Sequence, residues 1–261
     1  AENKESRNDH IIEFKRTLIK ILPEEFVKPQ PLLRDLVNAG DVVVLIVPID
    51  IEAPKGRIIL PQVQAVRDTL DGDAICLVVK ETEYSNTLKI LNKKPSLVVC
   101  DSQVVDRMVA ETPEDIPCTT FSILFSRFKG DLVEEVKGVL SLSELKPDDK
   151  IMIAETCSHH PMEDDIGRVK IPKWLKEFTG REHDIEVACG RDYPGNLNEF
   201  KVIIHCGACM LTRNEKLIRI EKAKLSEVPI TNYGIAISYM HGVLKRVLSP
   251  FPDALAALEN K

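Results

Sequence analysis

Aromatic residues make up only 5% of the 261-residue chain, with a single tryptophan. Platforms that stack nucleic-acid bases need several exposed rings, so this scarcity argues against one. Positive charge is also short. Lys and Arg number 35 against 41 Asp and Glu, a formal net charge of −6, with no basic cluster. Binding a phosphate backbone takes several aligned cations, so no nucleic-acid partner is expected. No apolar run reaches the roughly 18 residues that a bilayer span needs. The opening AENKESRNDHIIEFKRTLIKIL is charged throughout and has no apolar leader core. No membrane partner is expected either, and the reading is a cytoplasmic protein. A nucleotide-binding P-loop is missing as well: Lys55-Gly56 lacks the preceding glycine and the following hydroxyl of G-x-x-x-x-G-K-[ST].

What is present is a globular composition, 44% hydrophobic and 29% charged, in a chain long enough for one large or two ordinary domains. Ile11, Phe14, Leu18 and Leu22 share one face of an amphipathic helix that Pro23 closes. Apolar runs then alternate with helical segments. DVVVLIVPI (Asp41–Ile49), AICLVVK (Ala74–Lys80) and SLVVCD (Ser96–Asp101) read as strands. Leu60–Leu70, Glu83–Leu91 and Ser102–Glu111 read as helices between and after them. Strands apolar on both faces, alternating with helices, predict an α/β fold with mainly parallel sheets flanked by helices.

TPEDIPC (Thr112–Cys118) reads as a boundary. Beyond it come strand Thr119–Ser126, helix Leu132–Leu140, strand Lys150–Glu155, helix Pro172–Phe178, and strands Asp184–Cys189 and Phe200–His205. Helices follow at 213–225, opened by a Thr212–Glu215 capping box, and at 235–248. The predicted organisation is an N-terminal helix and linker over 1–30 and two α/β domains over 31–117 and 118–261.

The seven cysteines, Cys76, Cys100, Cys118, Cys157, Cys189, Cys206 and Cys209, are an odd number. In a reducing compartment that favours thiols or metal ligands over a disulfide framework. Cys157-x-His159 is followed, after 45 residues, by His205-Cys206-x-x-Cys209. Both groups sit where predicted strands end, the usual place for ligand sites in open α/β sheets. Two residues between cysteines let both sulfurs face one metal, and Gly207 and Ala208 suit the turn. The helix start at Thr212 adds a partial positive field that favours thiolates. An iron–sulfur cluster, a tetrahedral zinc and a thioredoxin-like dithiol at Cys206/Cys209 all satisfy this pattern. So, less economically, do buried cysteines beside unrelated histidines.

The pattern resembles the signature of the HydF-type maturation scaffolds of FeFe-hydrogenase. ETCSHHP, IIHCGACM and, upstream, PIDIEAPKGRIILPQVQAVRD carry the resemblance, which extends from the first helix to the C-terminus. It implies that 31–117 is a dimerisation domain and 118–261 a cluster-binding domain. It further implies a 4Fe–4S cluster on Cys157, Cys206 and Cys209, in a homodimeric scaffold. The cargo would be a di-iron precursor with CO, cyanide and dithiolate ligands, and the partners the hydrogenase apoprotein and the radical-SAM maturases of the pathway. Family members also carry a GTPase domain before this region. With no P-loop here, GTP hydrolysis is expected to be absent, and the chain is read as a scaffold rather than an enzyme.

For a fourth, exchangeable cluster position the candidates are His159, His205 and Asp50. Either histidine could bind iron, hydrogen-bond a sulfide or brace the loop. Asp50 sits in a stiff loop with Pro48, Pro54 and Gly56, and a carboxylate is a weak ligand that leaves readily; a solvated turn Asp is the plainer reading. His160–Lys170 reads as a flap or an ordinary surface loop. Cys76 and Cys100 are read as core; Cys189 ends its strand level with the motif strands and could line the site, but is read as core; His10, His183 and His241 are read as surface or core. No nucleophile–base pair is recognisable. The edge of the first sheet has nothing in sequence to blunt it, which predicts an oligomer.

Overall fold

The computed structural model describes residues 4–21, 30–49, 58–156, 165–190 and 193–259. Residues 1–31 and 32–261 form two units. The first contains helix α1 (Lys4–Ile21), on which Ile11, Phe14 and Leu18 are exposed. The closing Leu22 and Pro23 lie outside the described residues.

The second unit is α/β, with two four-stranded parallel sheets flanked by helices. The first sheet runs β2-β1-β3-β4, from β1 (Val42–Ile46), β2 (Ile75–Val79), β3 (Leu97–Cys100) and β4 (Cys118–Thr120). Helices α2 (Leu60–Asp71), α3 (Tyr84–Ile90) and α4 (Val105–Glu111) make its crossovers. Every residue of β1 and β3 is buried, which is why both read as uninterrupted apolar runs.

Helices α5 (Phe121–Lys129) and α6 (Leu132–Val139) lead to the second sheet, β6-β5-β7-β8. It is built from β5 (Lys150–Glu155), β6 (Asp184–Cys189), β7 (Val202–His205) and β8 (Ile230–Asn232), with α7 (Ile171–Thr179) and α8 (Arg213–Leu225) between. The chain ends in α9 (Tyr233–Met240), α10 (Leu244–Val247) and α11 (Pro252–Glu259). The two sheets share one strand order, and each last strand passes straight into a helix capped by its own final residue. Thr120 Oγ1 accepts the Ile123 N–H at 3.2 Å, and Asn232 Oδ1 accepts the Ile235 N–H at 2.9 Å.

Three sequence expectations need correcting, and one strand was missed. Cys118–Thr120 pair with β3, so this stretch completes the first sheet. The two sheets' helices also pack on each other within one unit: α10 lies on β4, and α9 on α5. The strand expected over Thr119–Ser126 stops at Thr120, where the Thr120 cap starts α5. That helix buries Phe121, Ile123, Leu124 and Phe125, and an all-apolar run of this kind carries no period to separate strand from helix. The helix expected over 235–248 is broken by Gly242, at φ +74°. Finally β8, three residues long, was too short to be legible. Among the described residues no helix is long and apolar enough to cross a membrane.

Candidate metal centre

Strands β5 and β7 are central neighbours in the second sheet, with Ala154 opposite His205. From β5 the chain crosses to β6 on one side, and from β7 to β8 on the other. The gap between the carboxyl ends of β5 and β7 is therefore the switch point at which open parallel sheets bind ligands. Cys206 leaves β7 here, its N–H donating to the Ala154 carbonyl at 2.8 Å. Thr156 leaves β5 here, and its Oγ1 lies 3.3 Å from Cys206 Sγ. The next residue in the chain is Cys157. Cys157, His159 and Asp50 lie outside the described residues, as do His160–Asp164 of the expected flap.

The turn that follows Cys206 is shaped by its own backbone and by one cation. Ala208, buried, takes φ +54°, and the Leu211 N–H closes back on its carbonyl at 3.0 Å. Lys129 Nζ, at the end of α5, lies 3.4, 2.8 and 2.8 Å from the carbonyls of Ala208, Cys209 and Leu211. Arg213 Nη1 reaches the carbonyls of Phe128 (3.2 Å) and Gly130 (3.3 Å) in the opposite direction. The expected capping box at Thr212 and Glu215 is present: Glu215 Oε2 accepts the Thr212 N–H at 2.8 Å and Thr212 Oγ1 the Glu215 N–H at 3.2 Å. Cys206 and Cys209 are half-buried, and Met210 between the turn and α8 is exposed.

His205 lies beneath the loop, fully buried. Its Nδ1 is 2.7 Å from the Cys206 carbonyl and its Nε2 3.1 Å from Arg219 Nη1. A carbonyl can only accept and a guanidinium only donate, so Nδ1 carries the hydrogen and the ring is neutral. Burial, reinforced by Lys216, holds its pKa well below the ordinary histidine value. Arg219 also donates to the Gly190 carbonyl at 2.8 Å and lies 4.9 Å over the Tyr193 ring. Iron ligation by His205 would break two buried hydrogen bonds, so the geometry suits bracing the loop and not binding metal.

The reading of Cys189 is also corrected. It is exposed, not core, because β6 is an edge strand and Cys189 is its last residue. It stands opposite Glu155, with Arg168 Nη2 at 2.7 Å from its sulfur and Glu155 Oε2 at 3.4 Å. Glu155, only 4% exposed, also accepts from Arg168 Nη2 (3.1 Å) and from the Tyr233 hydroxyl (3.4 Å). Partial burial and the Glu155 carboxylate push the Cys189 thiol up. The rear of the expected flap is likewise packed. Ile166–Lys170 is a π-helical turn, Asp165 is buried and accepts the Arg168 N–H at 2.8 Å, and a Cβ on Gly167 would fall 2.2 Å from the Tyr233 hydroxyl oxygen.

The other candidates are structural. Cys100 is a buried core thiol whose pKa burial raises well above the usual value, and Cys76 is half-buried. His183 bonds Thr179 Oγ1 at 2.8 Å, and His241 pairs with Asp106 and packs edge-on to Trp174. A groove of about 510 Å³ between α5, α6 and residues 250–254 holds none of the cysteines, and its Arg127 is turned to Asp35.

Residues 32–130 match the hydrogen maturase F dimerization domain, and residues 133–250 match the hydrogen maturase F tetramerization domain. The chain belongs to the hydrogen maturase F family. No curated protein matches it.

The residues present fit the iron–sulfur group that the family resemblance implies. The described motif sulfurs, those of Cys206 and Cys209, sit in a C-x-x-C turn that leaves the switch point of a parallel sheet. The turn carries an ammonium on its carbonyls, and a guanidinium lies below it, charges suited to an anionic thiolate-bound group. Among the described residues no three His, Cys, Asp or Glu side chains converge, and the third motif cysteine is not one of those residues. In this maturase chain Cys206 and Cys209 fall in the tetramerization match, whereas Lys129 falls in the dimerization match. Lys129, 80 residues from Cys209, belongs to no motif and was not legible in sequence. Nor was Arg219, a helical arginine indistinguishable from solvated neighbours.

Proposed function

We propose that this chain is the scaffold part of a hydrogenase maturase. In this reading Cys157, Cys206 and Cys209 hold a 4Fe–4S cluster with an exchangeable fourth position, Asp50 and His159 being its candidate ligands. The di-iron precursor, bearing CO, cyanide and dithiolate, is the cargo, and the immature FeFe-hydrogenase its recipient. Radical-SAM maturases are the expected suppliers. Membership of the hydrogen maturase F family supports the pathway, and the dimerization and tetramerization domains support a homo-oligomer. The observation that carries the metal site is the 3.3 Å approach of Thr156 to Cys206, because the motif's third cysteine is the residue that follows Thr156. A thiolate-held cluster supplies an iron corner that can accept and release a bridging ligand. The chain's own residues supply the thiolates, the cations that balance them, and a sheet edge on which copies associate.

Anaerobic reconstitution with iron and sulfide tests the reading. Broad brown absorption with about four irons and four acid-labile sulfides per chain is expected. Cys157→Ala, Cys206→Ala and Cys209→Ala should each abolish it. A colourless protein that retains zinc would replace this reading with a zinc-stabilised interaction module. Dithiol redox chemistry surviving in Cys157→Ala, without iron, would replace it with an oxidoreductase. Cyanide or imidazole should alter the EPR signal of the reduced protein, and an unchanged signal would mean that no position is exchangeable.

A further inference from the structure

The C-x-x-C turn is held by a residue from the other half of the molecule. An ammonium has three hydrogens and no acceptor, and Lys129 directs its own at three loop carbonyls, those of Ala208, Cys209 and Leu211. Because a trans peptide sets C=O and N–H on opposite sides, the N–H groups of Cys209 and Met210 are turned away from Lys129. The Phe125 ring lies 5.4 Å beneath the ammonium, in the same helix. The 2.8 Å contact with the Cys209 carbonyl puts the charge within electrostatic range of that residue's sulfur. The tie runs both ways, since Arg213 at the start of α8 grips the last carbonyls around the end of α5. Helix α5 in turn begins directly on β4, through the Thr120 cap, without an intervening loop.

We propose that Lys129 is the positioning residue of the metal-binding turn: a cation from the dimerization half that fixes the backbone between Cys206 and Leu211 and raises the reduction potential of the group bound there. The inference about potential rests on the cluster reading above; the clamp itself does not. It gives the family's two matched domains a direct physical link, in which a shift of β4 and α5 reaches the cysteines through one side chain.

The test compares the full chain with its Lys129→Met and Lys129→Arg variants. In metal-free protein, amide hydrogen exchange at residues 207–212 should quicken about tenfold or more in Lys129→Met, the cost of losing charge-assisted bonds. In Lys129→Arg, which keeps charge and donors, it should quicken less. In the iron-loaded protein Lys129→Met should shift the midpoint potential downward and lose iron to a chelator faster, with Lys129→Arg restoring the potential. Loop exchange and potential both equal to wild type in Lys129→Met would overturn the proposal. Should that variant fail to fold, Lys129→Gln takes its place: it keeps two donors without charge, and an unaltered potential there would overturn the electrostatic role. If wild type takes up no iron, the cluster reading fails while the exchange comparison still decides the clamp.

Discussion

His205 is adjacent to Cys206 in sequence, yet its ring points into the protein, between a carbonyl and Arg219. Removing it should act on the fold before it acts on metal. His205→Ala is expected to cost about 2–4 kcal/mol, from the cavity and the two buried groups left unpaired, measured by urea unfolding of metal-free protein. The EPR line shape of any reconstituted protein should stay unchanged; a new line shape would make His205 a ligand after all. A second expectation concerns alkali. Burial pushes Cys118 up to about 11 from 9.0 and Tyr84 up to about 12 from 10.0, and raises Cys100 as well. Both partners of the equilibrium are neutral below pH 9. Above it the unfolded chain loses protons first, so stability is full below about pH 9 and falls as pH rises towards 11–12. Cys118→Ala should remove part of that decline, on the order of 2–3 kcal/mol by pH 11, in unfolding curves taken at successive pH values.

Among the elements, α6 approaches β8 so closely that a Cβ on Gly138 would lie 2.0 Å from the Ile230 carbonyl oxygen. Gly138→Ala must push the helix off the strand and is expected to destabilise by about 3 kcal/mol or more, read as a lowered melting temperature. The same helix buries Glu135 against Lys216 of α8, at 2.5 Å, with Ser126 and Asn232 as further partners of the carboxylate. Both charges are almost fully out of water. Lys216→Met removes the counter-charge of the buried Glu135 and should cost about 3–5 kcal/mol. Adding Glu135→Gln should recover much of that loss; a double variant as unstable as the single would show that packing, not charge, is what Lys216 supplies.

For the molecule as a whole, the two sheets expose different edges. The edge strand β6 carries Asp184 and Glu186 outward, a charged rim that discourages pairing. The edge strand β2 exposes Ile75 and Val78, and the neighbouring α2 exposes Leu60, Val63 and Leu70. Self-association is therefore expected at β2. Val78→Lys should shift the assembly to a smaller species in light scattering without altering the far-UV spectrum. An unchanged mass would move the contact elsewhere.

Much of this was legible beforehand, for a stated reason. β5 and β6 occupy the expected residues, and α8 starts at the capping box, because burial along β5, alternation along β6 and terminal capping leave local patterns in sequence. The place of Cys206 at the end of β7 was legible too, since the apolar run before it marks the strand. β4 and α5 were not: an apolar run buried on all sides has no period, so Thr120 decided the boundary only once β3 stood beside it. Fold class and the burial of the central strands were thus determined by the chain's own pattern. Lys129 on the cysteine turn, Arg219 under His205 and the exposure of Cys189 were decided only by the tertiary structure, because each depends on which distant elements pack together, and charged side chains carry no mark in sequence of the carbonyl they will meet.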